Sequence, residues 1–382
     1  MHRTGIANLP LHYGKAPRWL FTRMCRLSEE IIKIILDEYG IDVFLQRISD
    51  PFWFQAFGCV LGYDWHSSGV TTVVTGVLKQ VVTPEKYGIG ICGGKGKASR
   101  KTPLEITEMS REFGFSHKKI RDLHYASRMA AKVDNAAIQA GYHLYHHSFL
   151  LTEKGKWIVI QQGLCPQDRT ARRYHWHSEH FDDFVVQPHD AIVGDVKRDV
   201  ALDMTAPESE ECRKTSVDIA KEPTRKVKQM FMSIRPVCQR SLEEWIPEKS
   251  HGTCGGPIIY NLSMPRTINW KTLRRVYEFQ PENYEELLGF KGVGPATIRG
   301  LSLVADLVYG EKPSWKDPVK YSFAYGGKDG VPFPVDRLAM DESAQILKQA
   351  IEEAQIGNRE KVKSLKRLRR FVPRNVMNKD NT

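Results

Sequence analysis

A chain of 382 residues can bury a sizeable core and divide into two or three domains, and 41% apolar with 26% charged residues excludes a disordered or low-complexity chain. No apolar run approaches the roughly 20 residues that cross a bilayer, and the opening MHRTGIANLPLHYGKAPRW lacks the apolar stretch of a signal peptide; the expectation is a cytoplasmic protein with no membrane partner. Lysine and arginine exceed aspartate and glutamate by 56 to 45, a net charge of +11 that suits a polyanion such as nucleic acid.

In chain order, WLFTRMCRLSEEIIKIILDEYG places Leu20, Met24, Leu27, Ile31, Ile34 and Ile35 on one helical stripe. Asp50-Pro51 then starts an aromatic helix, and Ser67 or Ser68 can cap the next one. The Gly- and Lys-rich YGIGICGGKGKASRKTP reads as a strand end followed by a basic loop, and a long helical region runs on to about Ala140. YHLYHHSFLLTEKGKWIVIQQGL predicts two strands joined at Thr152 to Lys156. After Asp190 the mixed charges, with Glu208, Glu210 and Glu211 acidic, predict a surface connection. Helical patterning returns near Val227 and continues to a basic tail. The fold class expected is α+β, predominantly helical, divided into a helical region 1–86, a mixed domain 87–190, a connection 191–250 and a helical domain 251–382. Seven scattered cysteines with no CxxC pair suggest neither a disulfide framework nor a thiolate zinc site.

The most informative stretch is LLGFKGVGPATIRGLSLVADLVYG. A short helix is expected to end near Gly289 and a longer one to begin near Pro295, burying Ile298, Leu301, Val304, Ala305 and Val308. The glycines allow a tight turn. Pro295 suits the first turn of a helix whose free N–H groups can hold a phosphate. The bland alternative is a Gly-rich link between packed helices.

Other residues are candidates for chemistry. His143 and His147 are expected on one face of their strand with Tyr145, and His146 on the other with Leu144 and Leu150. With Gln161, Gln162, Arg172, Arg173, His175, His177 and His180 they form a polar set that could bind a divalent metal or grip phosphate. Their spacing matches no metal motif, and simple hydrogen bonding on half-buried strands competes with that reading. Lys132 with Asp134 is a candidate nucleophile and base, against a solvated helix face. Lys95, Lys97, Arg100 and Lys101 form a basic loop suited to nucleic acid but without P-loop spacing. His66 and Ser67 in DWHSSG lack the GxSxG setting of a nucleophilic serine.

The KGVGPAT stretch resembles the helix-hairpin-helix motif of DNA-repair proteins. That resemblance implies phosphate contacts from the backbone of Gly292, Val293, Gly294, Ala296 and Thr297, with charge from Lys291 and Arg299. The VPFPVDR step is similar to the place where glycosylases of this type carry a catalytic aspartate, which here would be Asp336. The connection leading to it is longer than that family usually has. Glu285 and Glu286 stand where bifunctional members carry a lysine, and the four-cysteine iron–sulfur pattern is missing. Over nearly its whole length the chain resembles a prokaryotic family of unknown function with a C-terminal helix-hairpin-helix. The expectation is therefore a DNA-binding, DNA-repair-type protein, a base-excision enzyme first. The alternatives are a metal-dependent nuclease using the histidine-rich middle, and a non-catalytic DNA scaffold. The cofactor is left open, with a divalent metal entering only if the nuclease alternative holds.

Overall fold

The fold comes from a computed structural model, which describes residues 18–63, 69–180, 182–194, 196–234, 264–265, 267–319 and 337–371, with 337–344 and 369–371 as backbone only. The class is α+β and mainly helical. The N-terminal helices are α1 (Arg18–Ser49), α2 (Pro51–Leu61), α3 (Gly69–Val81) and the single turn α4 (Pro84–Tyr87). α2 starts as its sequence predicts: Asp50 accepts a hydrogen bond from the Trp53 N–H at 2.8 Å, ahead of Pro51 in the first turn. The buried stripe of α1 includes Met24, Leu27, Ile31 and Ile35, while Leu20 and Ile34 are partly buried beside it.

At the centre lies a five-stranded antiparallel sheet of β1 (Ile89–Lys95), β3 (His143–Thr152), β4 (Trp157–Cys165), β5 (Thr170–His177) and β6 (Ala191–Gly194), in the order β1-β3-β4-β5-β6. Between β1 and β3 run α5 (Thr102–Glu112), α6 (His117–Lys132), a π-helical turn Val133–Ala137 and the short β2 (Ile138–Gln139). β2 pairs with β7 (Leu202–Asp203), Ile138 opposite Asp203. Gly93 in β1 has φ +89°, and a Cβ there would stand 2.3 Å from the His147 carbonyl oxygen, so only glycine lets β1 approach β3 this closely.

Both faces of the sheet are covered, which is why β4 reads as an almost continuous buried run. Leu150, Ile158 and Ile160 point into a core with α1, α2 and α3. Phe149, Leu151, Val159 and Trp176 point the other way, into a core with α5, α6 and the later helices. These are α7 (Glu210–Ala220), α8 (Thr224–Ile234), α9 (Trp270–Phe279), α10 (Tyr284–Gly289) and α11 (Pro295–Tyr309). The last described helices, α12 (Arg337–Glu353) and α13 (Asn358–Phe371), instead send Leu347, Ala350, Ile351 and Leu368 into the core of α1 to α3.

The stretch 191–234 differs from the expected surface connection. β6 is buried at the sheet edge, and α7 buries Cys212, Val217 and Ile219 while Glu210 and Glu211 face solvent beside Lys214. One charged face on a helix of three turns masks its short apolar stripe. Residues 264–319 and 337–371, grouped together by sequence patterning, lie on opposite sides of the sheet.

Candidate functional site: a braced turn and a buried Asp134–His189 pair

The turn between α10 and α11 forms where its glycines and proline predict. Asn283 caps α10 by accepting from the Glu286 N–H at 2.9 Å, and α11 opens at Pro295 after an extended Gly294 with no side-chain cap. Ile298, Leu301, Val304 and Ala305 are buried, whereas Val308, expected inside, is 46% exposed. Val293 anchors the turn in the core, leaving Lys291 and Gly292 exposed and Arg299 half-buried over the Trp315 ring, 5.2 Å from its centroid. Gly292 has φ +100°, and a Cβ on it would meet Thr272 Oγ1 at 2.6 Å. Gly294 differs: its backbone is extended and nothing lies within 4 Å of where a Cβ would be. Among the described residues no hydrogen bond reaches the N–H groups of Gly294, Ala296 or Thr297.

The turn's carbonyls are held from beneath by one short segment. Lys132 Nζ donates to the carbonyls of Phe290, at 3.2 Å, and Val293. Gln139 Nε2 donates to the Pro295 carbonyl at 2.9 Å. Burial, and Arg128 after it, pull the Lys132 amine below the usual lysine range. Lys132 thus serves as a brace for the turn, and it does not face Asp134.

Asp134 sits in the intervening π-turn, an arrangement that recurs at functional sites because one extra residue re-aims the side chains around it. It is fully buried. Oδ2 accepts from Gln161 Nε2 at 2.5 Å and Trp176 Nε1 at 3.1 Å, while Oδ1 lies 2.5 Å from His189 Nε2. Burial pushes the carboxyl up, and His189 and Trp176 pull it back. The network continues from Gln161 Oε1 to His147 Nδ1 at 2.8 Å, and from His147 Nε2 to Ser127 Oγ at 2.8 Å. His189 stands edge-on to Trp176, with ring centroids 4.5 Å apart. It also lines an open cavity of about 160 Å³ together with Gln187, Asp203, Thr205, Glu208, Ser314 and Asp317, among others.

Other predicted site residues are dispersed. The sheet register shifts between Leu144 and His146, so the expected alternation of His143, Tyr145 and His147 breaks. His143 is exposed; His147 faces Ser127, and His175 lies on the opposite sheet face against Phe54. Strand parity, which sends successive side chains to opposite faces, is what separates them. No group of three or more His, Cys, Asp or Glu suited to a metal occurs among the described residues.

Gln161, Gln162, Arg172 and Arg173, expected as DNA contacts, are all buried. Arg172 pairs with Asp317 at 2.6 Å. Gln162 bonds with Thr71 and Tyr145, and Arg173 reaches His175 at 2.8 Å and Gln55 at 3.1 Å. By contrast Lys95 at the end of β1 and Lys97, Arg100 and Lys101 on the 3₁₀ turn after it are exposed, and Glu105 holds this corner by taking the Gly93 N–H at 2.6 Å and pairing with Lys79 at 2.6 Å. Asp336, His66 and Ser67 lie outside the described residues. His189 and Asp203 escaped sequence reasoning. His189 precedes the four-residue β6 and Asp203 lies in the two-residue β7, strands too short to show a period, and the only local signal is the polar HDA and LDMT stretches.

The chain belongs to the DUF763 family, described as proteins of unknown function, whose model matches residues 5–335. Comparison with curated proteins and with solved structures finds no match. No helix among the described residues is long and apolar enough to cross a membrane.

Proposed function

We propose that this DUF763 protein binds DNA independently of sequence by holding phosphates of one strand at the turn before α11, and that it serves base excision on damaged or structured DNA. The observation that supports the binding is the bracing of the turn. Lys132 and Gln139 occupy the carbonyls of Phe290, Val293 and Pro295 from the protein side. The uncapped N–H groups of Gly294 and Ala296 remain for a ligand, with that of the buried Thr297 behind them, and the positive end of the α11 dipole favours an anion there. Lys291 and Arg299 beside the turn, and the exposed lysines and arginine of residues 95–101, add charge for further phosphates. The resemblance to helix-hairpin-helix repair proteins supplies the excision step. The nuclease alternative would need His147 and His175 together, and these lie on opposite faces of the sheet.

Gly294 provides a clean test. Because its backbone is extended and a Cβ meets nothing within 4 Å, Gly294→Val keeps the fold and places two methyl groups where the phosphate would sit. Affinity for duplex, measured by fluorescence anisotropy, should fall about tenfold or more for every sequence, the equivalent of losing one or two charge-assisted hydrogen bonds. A folded variant with wild-type affinity refutes the phosphate grip. For excision, lesion-bearing duplex should acquire breaks that need alkali, persist in chelator and disappear in Asp336→Asn. Salt-sensitive binding without product would leave a scaffold.

A further inference from the structure

The cavity beside His189 is joined to the braced turn by the segment 132–139. Lys132 and Gln139 hold the turn, Asp134 holds His189 at 2.5 Å, and Ile138 pairs with Asp203 in the cavity wall. A second link runs from Arg299 through the Trp315 ring to Ser314, Lys316 and Asp317, which line the same cavity. The turn and the cavity thus share one supporting segment.

The cavity is built for proton exchange. His189 uses Nε2 on Asp134, and Nδ1 has no hydrogen-bond partner among the described residues. A buried carboxylate fixing one imidazole nitrogen leaves the other oriented toward a ligand. Asp203 spends Oδ1 on the Thr205 N–H at 2.8 Å and the Thr205 hydroxyl at 2.6 Å, the Ala206 N–H lies beside the same carboxylate, and the group lines the cavity. The lining also settles which ligand chemistry fits. Asp317 is paired with Arg172 at 2.6 Å, so the lining offers the carboxyls of Asp203 and Glu208 against Lys316 and His189, which is no cluster of cations to grip a phosphate. At about 160 Å³ the space falls below the range of pockets that take drug-sized ligands and suits one small ring. An uncharged ring bearing N–H donors and basic nitrogens meets these demands, and a nucleobase is such a ring.

We infer that this cavity receives a nucleobase extruded from DNA, that His189 protonates the base as it leaves, that Asp203 accepts the base's N–H, and that Asp134 positions His189. The inference rests on the DNA reading above. In the step itself the C1′–N bond breaks with its electron pair on the base, whose ring nitrogen takes the His189 proton. Water adds its hydroxyl to C1′ and releases its other proton to solvent, giving a free base and an abasic sugar.

The experiment uses the full chain and duplexes carrying single uracil, hypoxanthine, 8-oxoguanine or 3-methyladenine, with free base measured by mass spectrometry. Wild type should release at least one of them. His189→Gln and Asp203→Asn should lower kcat by about 100-fold or more, the range of general acid catalysis, with KM for DNA unchanged. Asp134→Asn should lower kcat and displace the pH profile of kcat at unchanged KM and a wild-type Tm; loss of folded protein would scale the whole profile down without displacing it. Release undiminished in His189→Gln and Asp203→Asn, or no release from any duplex the protein binds, overturns the proposal. If wild type binds no DNA, the turn reading fails separately. The cavity is then titrated by calorimetry with free adenine and cytosine: binding abolished by Asp203→Ala upholds a nucleobase site, and no binding ends it.

Discussion

Single side chains in the sheet carry a pH signature. His146 is buried against α3, with Nε2 3.1 Å from Thr75 Oγ1; burial, then His147 and Lys95, hold it neutral with a pKa of about 3. His147 and His175 are also pushed down by burial. A histidine whose folded pKa is depressed stabilises the protein fully above its unfolded value near 6.5, and that stability is lost as pH falls toward the folded value. Between pH 6.5 and 5, His146 alone should cost about 2 kcal/mol. Asp134 and Asp203, raised by burial, act with the opposite sign, their contribution being present at low pH and lost as pH rises through the folded value. The informative quantity is hence a difference: His146→Gln, which keeps a partner for Thr75, should narrow the Tm drop from pH 7 to pH 5. An identical drop in both proteins would show that His146 titrates normally. The run HLYHH displayed these histidines at once, yet a single bulge decided which face each one took.

At the level of elements, legibility followed local punctuation. The ends of α10 and α11 were readable because Gly289, Gly292 and Pro295 have few conformational alternatives. The β3–β4 hairpin was readable from its β-branched and aromatic run. The two-residue strands β2 and β7 and the π-turn had no period to display, so the segment that joins turn to cavity stayed hidden. For the same reason Lys132 looked like a nucleophile beside Asp134, when its amine instead spans α6 and the turn. Lys132→Met keeps most of the buried stem and removes the donor to Phe290 and Val293. Leaving those carbonyls unpaired should destabilise the turn by about 1–3 kcal/mol. Hydrogen exchange at residues 290–297 should accelerate accordingly while the sheet amides keep their protection. Unchanged exchange there would deny Lys132 its bracing role.

For the whole molecule, the sheet is a shared wall. Adjacent residues on β3 and β4 feed different cores: Phe149 and Val159 one, Leu150 and Ile158 the other. Binary patterning revealed that these strands are buried but not what covers them, because a strand covered on both faces loses its alternation. The partner of α12 and α13 was equally hidden, since an amphipathic helix specifies an apolar face without naming the surface it meets. Packing puts them against α1 and α2, beyond the residues matched by the family, with Arg367 Nη1 donating to the Val60 carbonyl at 3.1 Å. Leu347, Ile351 and Leu368 are fully buried there. At about 1.5–3 kcal/mol per such side chain, the three contribute roughly 5–9 kcal/mol before the cost of ordering the helices. That is comparable to the whole stability of an ordinary domain, about 5–15 kcal/mol. Deleting residues 337–382 should therefore lower Tm sharply and expose apolar surface to a hydrophobic dye, with early loss of hydrogen-exchange protection in α1 and α2. A truncated chain that melts with the full one would mean that α1 to α3 close their core without these helices.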